Sequence, residues 1–205
     1  RDYRGSRRYT NATAAEVFIR SSNIGTAKIA GEIGSEAQQE FIKHLNLHKP
    51  LDIELLERAT PNFPEPKRWG ALSTFTISYG HGFAMSPLHL AKAVGEIVNG
   101  GHKLKPTLLA KKHNAQQENK SDTIVKPETA EQIRRLMRLV VEQGTAKAAN
   151  VPGYNVGAKT GTSIKVVNGS YDRKKNITTF VGAFPINDPK YMVMIVLDEP
   201  HYKNT

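Results

Sequence analysis

Residues Val156 to Val166, then Asn168-Gly169, then Ile177 to Phe184 constrain the fold of this chain more than any other stretch. Both flanks read as strands. Asn-Gly between them is a strong two-residue hairpin signal, because the favoured tight turn needs positive φ at both central positions. The first strand carries Val156-Gly157-Ala158-Lys159-Thr160-Gly161-Thr162-Ser163. Such a strand can hold a carboxylate: Lys159 supplies positive charge, Thr160 and Thr162 supply hydroxyl donors, and Gly161 lets a ligand backbone lie close. Alternation assigns Lys159 and Gly161 to one face and Thr160 and Thr162 to the other, so a ligand using both sets must lie along the strand's edge. A Gly-containing edge strand with a solvated lysine would carry the same residues. A phosphate-binding loop fits poorly, since Ala158 stands where that motif needs glycine.

Upstream, Thr13-Ala14-Ala15-Glu16 is a capping-box pattern opening a short helix through Val17, Phe18 and Ile19. Ser21-Ser22-Asn23 falls where that helix should end, either as one wall of a site or as a polar helix end with Asn as C-cap. Ile24 to Ile33 reads as a second helix, stopped by Gly34. Ser35-Glu36-Ala37-Gln38 looks like another capping box, opening a helix that buries Phe41, Ile42 and Leu45. Asn46 to Arg68, with Pro50, Pro61, Pro64 and Pro66, reads as a surface excursion.

Trp69 to Tyr79 mixes hydroxyl and aromatic residues ahead of Gly80-His81-Gly82. His81 is a candidate base by residue type, although the flanking glycines better suit a tight turn. Ser86-Pro87 predicts an N-cap and first residue of a helix whose apolar side is Leu88, Leu90, Ala91, Val94, Ile97 and Val98. Asn99-Gly100-Gly101 stops it. Lys103 to Leu109 is a candidate edge strand, and His113 to Asp122 is polar. Pro127 starts the longest helix, with Ile133, Leu136, Met137, Val140 and Val141 at helical spacing. Gly144-Thr145-Ala146 follows, and Tyr191 to Leu197 is a third strand. Three antiparallel strands with packed helices make an α+β domain.

Composition limits the function classes. A chain of 205 residues with 39% hydrophobic and 23% charged residues can bury a core. With 29 Lys+Arg against 19 Asp+Glu the net charge is +10, but the basic residues are spread into small clusters: Arg4 to Arg8, Lys111-Lys112 and Arg173-Lys174-Lys175. A nucleic-acid-binding protein would explain that charge, yet no recognised motif or aromatic-basic interleaving accompanies it. Cysteine is absent, which excludes a thiol nucleophile. No metal-ligand spacing or cofactor motif is evident. No apolar run approaches the ~18 residues needed to cross a bilayer.

Ser21-x-Asn23, the Gly80-x-Gly82 turn before Ser86-Pro87-Leu88, Gly144-Thr145-Ala146, Lys159-Thr160-Gly161-Thr162 and Asp198-Glu199-Pro200 occur in that order. Together they resemble the transpeptidase domain of class B penicillin-binding proteins, of the septal type found in Gram-negative bacteria. The resemblance covers nearly the whole chain and implies a penicillin-binding, serine β-lactamase-like transpeptidase fold. It also implies a D,D-transpeptidase that acts on peptidoglycan stem peptides in septal cell-wall synthesis and is trapped by β-lactams. Divisome membrane proteins would be its partners, and the periplasmic face of the inner membrane its location. It calls for no cofactor, metal or nucleic acid.

Carried onto this sequence, the resemblance gives Ser21, Asn23 and Lys159 catalytic roles. Thr160, Gly161 and Thr162 would hold the substrate's terminal carboxylate, and the Thr162 N–H would form half of the oxyanion hole. The family's nucleophile is the serine of S-x-x-K, and no serine here is followed three residues later by lysine. Residues 1–205 are therefore expected to be a partial transpeptidase domain, inactive alone, with the nucleophile encoded before residue 1 and a closing helix after residue 205. A non-catalytic relative that binds peptidoglycan or division partners is the alternative.

Overall fold

The computed structural model describes residues 11–110 and 122–201. The lead-in with Arg4 to Arg8, the Lys111-Lys112 pair and the polar residues 113–121 lie outside the described residues.

The order is α1 (Ala14–Arg20), α2 (Asn23–Ile33), α3 (Ser35–His44), α4 (Ala71–Ser78), α5 (Pro87–Val98), α6 (Pro127–Gln143), then β1 (Gly157–Val167), β2 (Ser170–Phe184) and β3 (Tyr191–Asp198). The strands form one antiparallel sheet in the order β1-β2-β3, so β1 is an edge strand. Asn168 and Gly169 have φ of 50° and 79° and close the hairpin between Val167 and Ser170, as Asn-Gly predicts.

β2 begins at Ser170, well before the Ile177 expected from hydrophobicity. Its first residues pair with the end of β1 across an irregularity at Ile164/Lys165 that leaves Arg173, Lys174 and Lys175 off the ladder. Lys165 bonds Asp198 and Glu199 there, tying the projecting hairpin to the end of β3.

The capping box of α1 forms in full, with Thr13 and Glu16 exchanging backbone bonds. The second expected box does not. Gly34 at φ 86° swings the chain directly from α2 into α3 and leaves no side-chain cap. Gln38 is diverted to the tertiary structure, accepting from Trp69 Nε1 at 3.0 Å and donating to Thr74 O at 3.2 Å. Leu45 of the expected α3 face is buried, but Phe41 remains 42% exposed.

Trp69 to Tyr79 contains α4, and the Pro-rich excursion is anchored by buried Leu47 and Leu51 and by Phe63 stacked between Trp69 and Phe83. On α5 the apolar reading was incomplete: Leu88 is largely exposed, whereas His89 and Glu96 are buried. His89 bonds Ser86 Oγ and Lys49 O. Glu96 accepts from Lys92 Nζ at 2.5 Å and from Leu104 N at 3.0 Å. That second bond, with the Glu54 carboxylate on Leu108 N, holds residues 103–109 as an irregular segment instead of the expected edge strand.

α6 organises the centre. Val140 and Val141 pack with Ala146, Val156 and Ala158, and Phe18 and Ile19 of α1 close the cluster. Met137 joins Val98, Ala183 and Ile186 in an adjoining cluster. α1 and β1 therefore meet over the C-terminal end of α6. No helix among the described residues is long and apolar enough to cross a membrane.

Candidate active site

Ser21-Ser22-Asn23 is the joint between α1 and α2. Ser21 is the C-cap of α1 in the left-handed region (φ 54°, ψ 47°), a position that glycine fills without strain and that costs a serine about 1 kcal/mol or more. Ser22 is the N-cap of α2, accepting from Gly25 N at 3.1 Å. Asn23 is the first residue of α2 and not a C-cap. Its amide makes no hydrogen bond among the described residues.

Two glycines set the joint's position. A Cβ on Gly25 would lie 2.4 Å from Val17 Cγ2, so α2 can close on α1 only with glycine there. A Cβ on Gly144 would lie 2.5 Å from Ile19 O, so the end of α6 can support the last turn of α1 only with glycine there.

From β1, Lys159 Nζ donates to Ser21 Oγ, and to Thr160 O at 2.9 Å, and lies 5.7 Å from the centre of the Phe18 ring. Burial disfavours the charged form and pushes Lys159 below the ordinary lysine range. A lysine so placed can pass a proton to, or take one from, a neighbouring hydroxyl more readily than a solvated one.

Thr160 Oγ1 shares a 2.6 Å hydrogen bond with Thr145 Oγ1, which follows Gly144 and connects the threonine to the end of α6. A Cβ on Gly161 would lie 2.6 Å from Thr179 Oγ1, so glycine keeps this part of the strand thin. Thr162 is exposed opposite Thr178, whose buried hydroxyl has no partner among the described residues. Lys159 and Thr160 use opposite sides of β1, as alternation requires, and the strand lies at the sheet's edge, where both sides and the backbone are accessible.

The structure thus joins Ser21 to Lys159, with Asn23 two residues beyond Ser21 on α2 and the Thr160-Gly161-Thr162 segment continuing β1 from Lys159. His81 has its ring tilted against Tyr79 and Tyr171 at 5.4 and 5.8 Å, and its Nδ1 has no partner among the described residues. Phe18, whose ring lies against the Lys159 ammonium, escaped the sequence reading because it looked like ordinary helix core. Its only signal was its place three residues before Ser21.

The fold is thus an α+β domain whose edge strand offers a partly buried lysine to a serine at a helix joint. Residues 1–205 match the family model of the penicillin-binding protein transpeptidase domain, and the chain belongs to that family. It is 34% identical to a probable peptidoglycan D,D-transpeptidase FtsI of Caulobacter vibrioides, over 97% of this chain and 34% of that protein. It is also 34% identical to a probable peptidoglycan D,D-transpeptidase PenA of Neisseria meningitidis, over 94% of this chain and 32% of that protein. The chain spans about a third of the length of these relatives.

Among solved structures, the transpeptidase domain of Burkholderia pseudomallei penicillin-binding protein 3 superposes with a TM-score of 0.84 at 33% identity, covering 92% of this chain and 56% of that one. Penicillin-binding protein 3 of Mycobacterium tuberculosis, complexed with aztreonam, superposes at 0.83 with 25% identity, covering 92% of this chain and 45% of that one.

Proposed function

We propose that these residues form part of a septal peptidoglycan D,D-transpeptidase of the serine type, the activity for which its FtsI and PenA relatives are named. A serine Oγ bonds to the carbonyl carbon of the penultimate D-alanine of a stem peptide. The C–N bond breaks, and the terminal D-alanine leaves with a proton. An amine of a neighbouring stem then displaces the serine and forms the cross-link. β-Lactams react at the same serine and remain as esters.

Residues 1–205 supply the proton-relay and ligand-holding parts of that site. Ser21 and Lys159 move the proton, Asn23 holds the substrate amide, and Thr160, Gly161 and Thr162 hold the terminal carboxylate. The nucleophile is supplied from outside these residues, consistent with the absence of any S-x-x-K within them. Residues 1–205 are then a partial domain, inactive alone. The full protein works at the periplasmic face of the inner membrane among division proteins.

The observation that carries this reading is the hydrogen bond from Lys159 Nζ to Ser21 Oγ. It joins two motif elements with no reason to meet in a merely structural edge strand. The test is the acylation rate of the full-length protein by a fluorescent penicillin. A Lys159→Ala variant should be slower by about 10²- to 10⁴-fold, the usual share of acid–base catalysis. An unchanged rate would end the reading.

A further inference from the structure

Thr145, just past the end of α6, is a polar residue that the proposed function leaves without a role. Its backbone is held from both sides, because Gly144 N and Ala146 N both donate to Val140 O, at 3.0 and 3.2 Å. Ala146 is buried with Val140, Val141 and Ala158 in one cluster. Alternation puts Thr160 on the same face of β1 as Ala158, two residues further on. Packing Ala146 into that cluster therefore brings Thr145 alongside Thr160, and the two hydroxyls meet at 2.6 Å. The same turn approaches Ile19 O at Gly144, so one helix end supports both the α1 end that carries Ser21 and the strand that carries Thr160.

A threonine hydroxyl has one proton and two lone pairs, whereas a carboxylate can only accept. Thr160 therefore binds a carboxylate only by giving it that single proton. The bond between the two threonines then has to run from the Thr145 O–H to a lone pair of Thr160 Oγ1. In the opposite direction Thr160 would meet the carboxylate with lone pairs, and the contact would be repulsive. We propose that Thr145 is a positioning residue for the ligand's carboxylate: its hydroxyl donates to Thr160 Oγ1 and so turns the Thr160 proton toward the ligand. The proposal rests on the transpeptidase reading and extends it to a residue outside the Lys159 to Thr162 segment. Thr145 acts through Thr160 in two ways. It fixes the Thr160 hydroxyl before the ligand arrives, so that ordering is not charged against binding. A hydroxyl that accepts one hydrogen bond also becomes a stronger donor in the next.

The experiment uses the full-length protein and two acylating probes, benzylpenicillin and its methyl ester, which lacks the free carboxylate. Each acylation is timed by the loss of sites for a fluorescent penicillin chase. Thr145→Val keeps the side chain's shape and removes its hydroxyl. It should slow benzylpenicillin about tenfold, the size of one hydrogen bond to a charged group, and leave the ester's rate unchanged. Thr145→Ala, measured beside it, should do the same, and Thr145→Ser should restore the wild-type ratio of the two rates. In a Thr160→Val background Thr145→Val should add nothing, because the hydroxyl it acts through is gone. Taking the ratio of the two probes within each variant removes any change in the folded fraction. A ratio unmoved by Thr145→Val and Thr145→Ala, a serine variant that behaves like the valine one, or additive losses with Thr160→Val would overturn the positioning role while leaving the transpeptidase reading intact. A wild-type protein that penicillin does not acylate overturns both.

Discussion

Lys159 Nζ donates to Ser21 Oγ across 138 positions of sequence, joining the edge strand β1 to the end of α1. Gly144 lets the end of α6 meet the carbonyl of Ile19, two residues ahead of Ser21.

Gly144→Ala should therefore act on stability and on the site together. The added Cβ meets backbone that cannot rotate away, so overpacking should cost about 1–3 kcal/mol, read as a lowered denaturation midpoint. Because the displaced element carries Ser21, penicillin acylation of the full-length protein should fall further than the loss of folded protein explains.

Lys159→Met should separate function from stability. The ammonium is desolvated by burial, and its pKa lies below that of an unfolded lysine. The folded state therefore binds this proton less tightly than the unfolded state does. Its cost to stability is full below the lowered pKa and disappears as pH rises through the ordinary lysine pKa. At neutral pH the methionine variant should unfold no more easily than the wild type while losing acylation activity. Chemical denaturation beside the acylation assay checks both halves.

The hairpin beyond β1 should loosen in acid. The hydrogen bond from Lys165 holds the Glu199 carboxyl below its ordinary range, and the same bonds to Asp198 and Glu199 raise Lys165. The Glu199 contribution is present above the ordinary carboxylate pKa and is lost as pH falls through the lowered value. Lys165's contribution is present below the ordinary lysine pKa and is lost as pH rises through the raised one. Protection of the amides of residues 165–172 against exchange, taken relative to the intrinsic rate at each pH, should fall at low pH, and Glu199→Gln should lower it already at neutral pH.

Thr13→Ala removes the side-chain acceptor of a fully formed capping box and should cost about 1 kcal/mol. Since α1 ends in Ser21, hydrogen exchange should show that loss concentrated in residues 14–21.

Local chemistry explains which parts of the fold were legible. Asn168-Gly169 declared its hairpin because the turn is decided by two residues, and Thr13 to Glu16 declared its cap for the same reason. Ser35 to Gln38 carried the same capping pattern and failed, because Gly34 turned the chain and Trp69 claimed Gln38. Lys103 to Leu109 failed as a strand because its backbone bonds go to Glu96 and Glu54 carboxylates that no window on the segment contains. In the site, spacing alone left Asn23 open between C-cap and functional wall. The family resemblance proposed the wall, and the helix start at Asn23 removes the C-cap. The Thr145–Thr160 bond and the Phe18 ring beneath Lys159 are products of tertiary packing with no local signature.

In the proposed function these residues hold and activate a substrate whose nucleophile lies elsewhere in the protein. That arrangement is tested most directly by peptide mapping after penicillin treatment of two samples, the full-length protein and residues 1–205 alone. An adduct on a serine outside residues 1–205 in the full-length protein, with no mass shift in residues 1–205, is the predicted result. An adduct on Ser21 or Ser22, or no adduct in either sample, would contradict it.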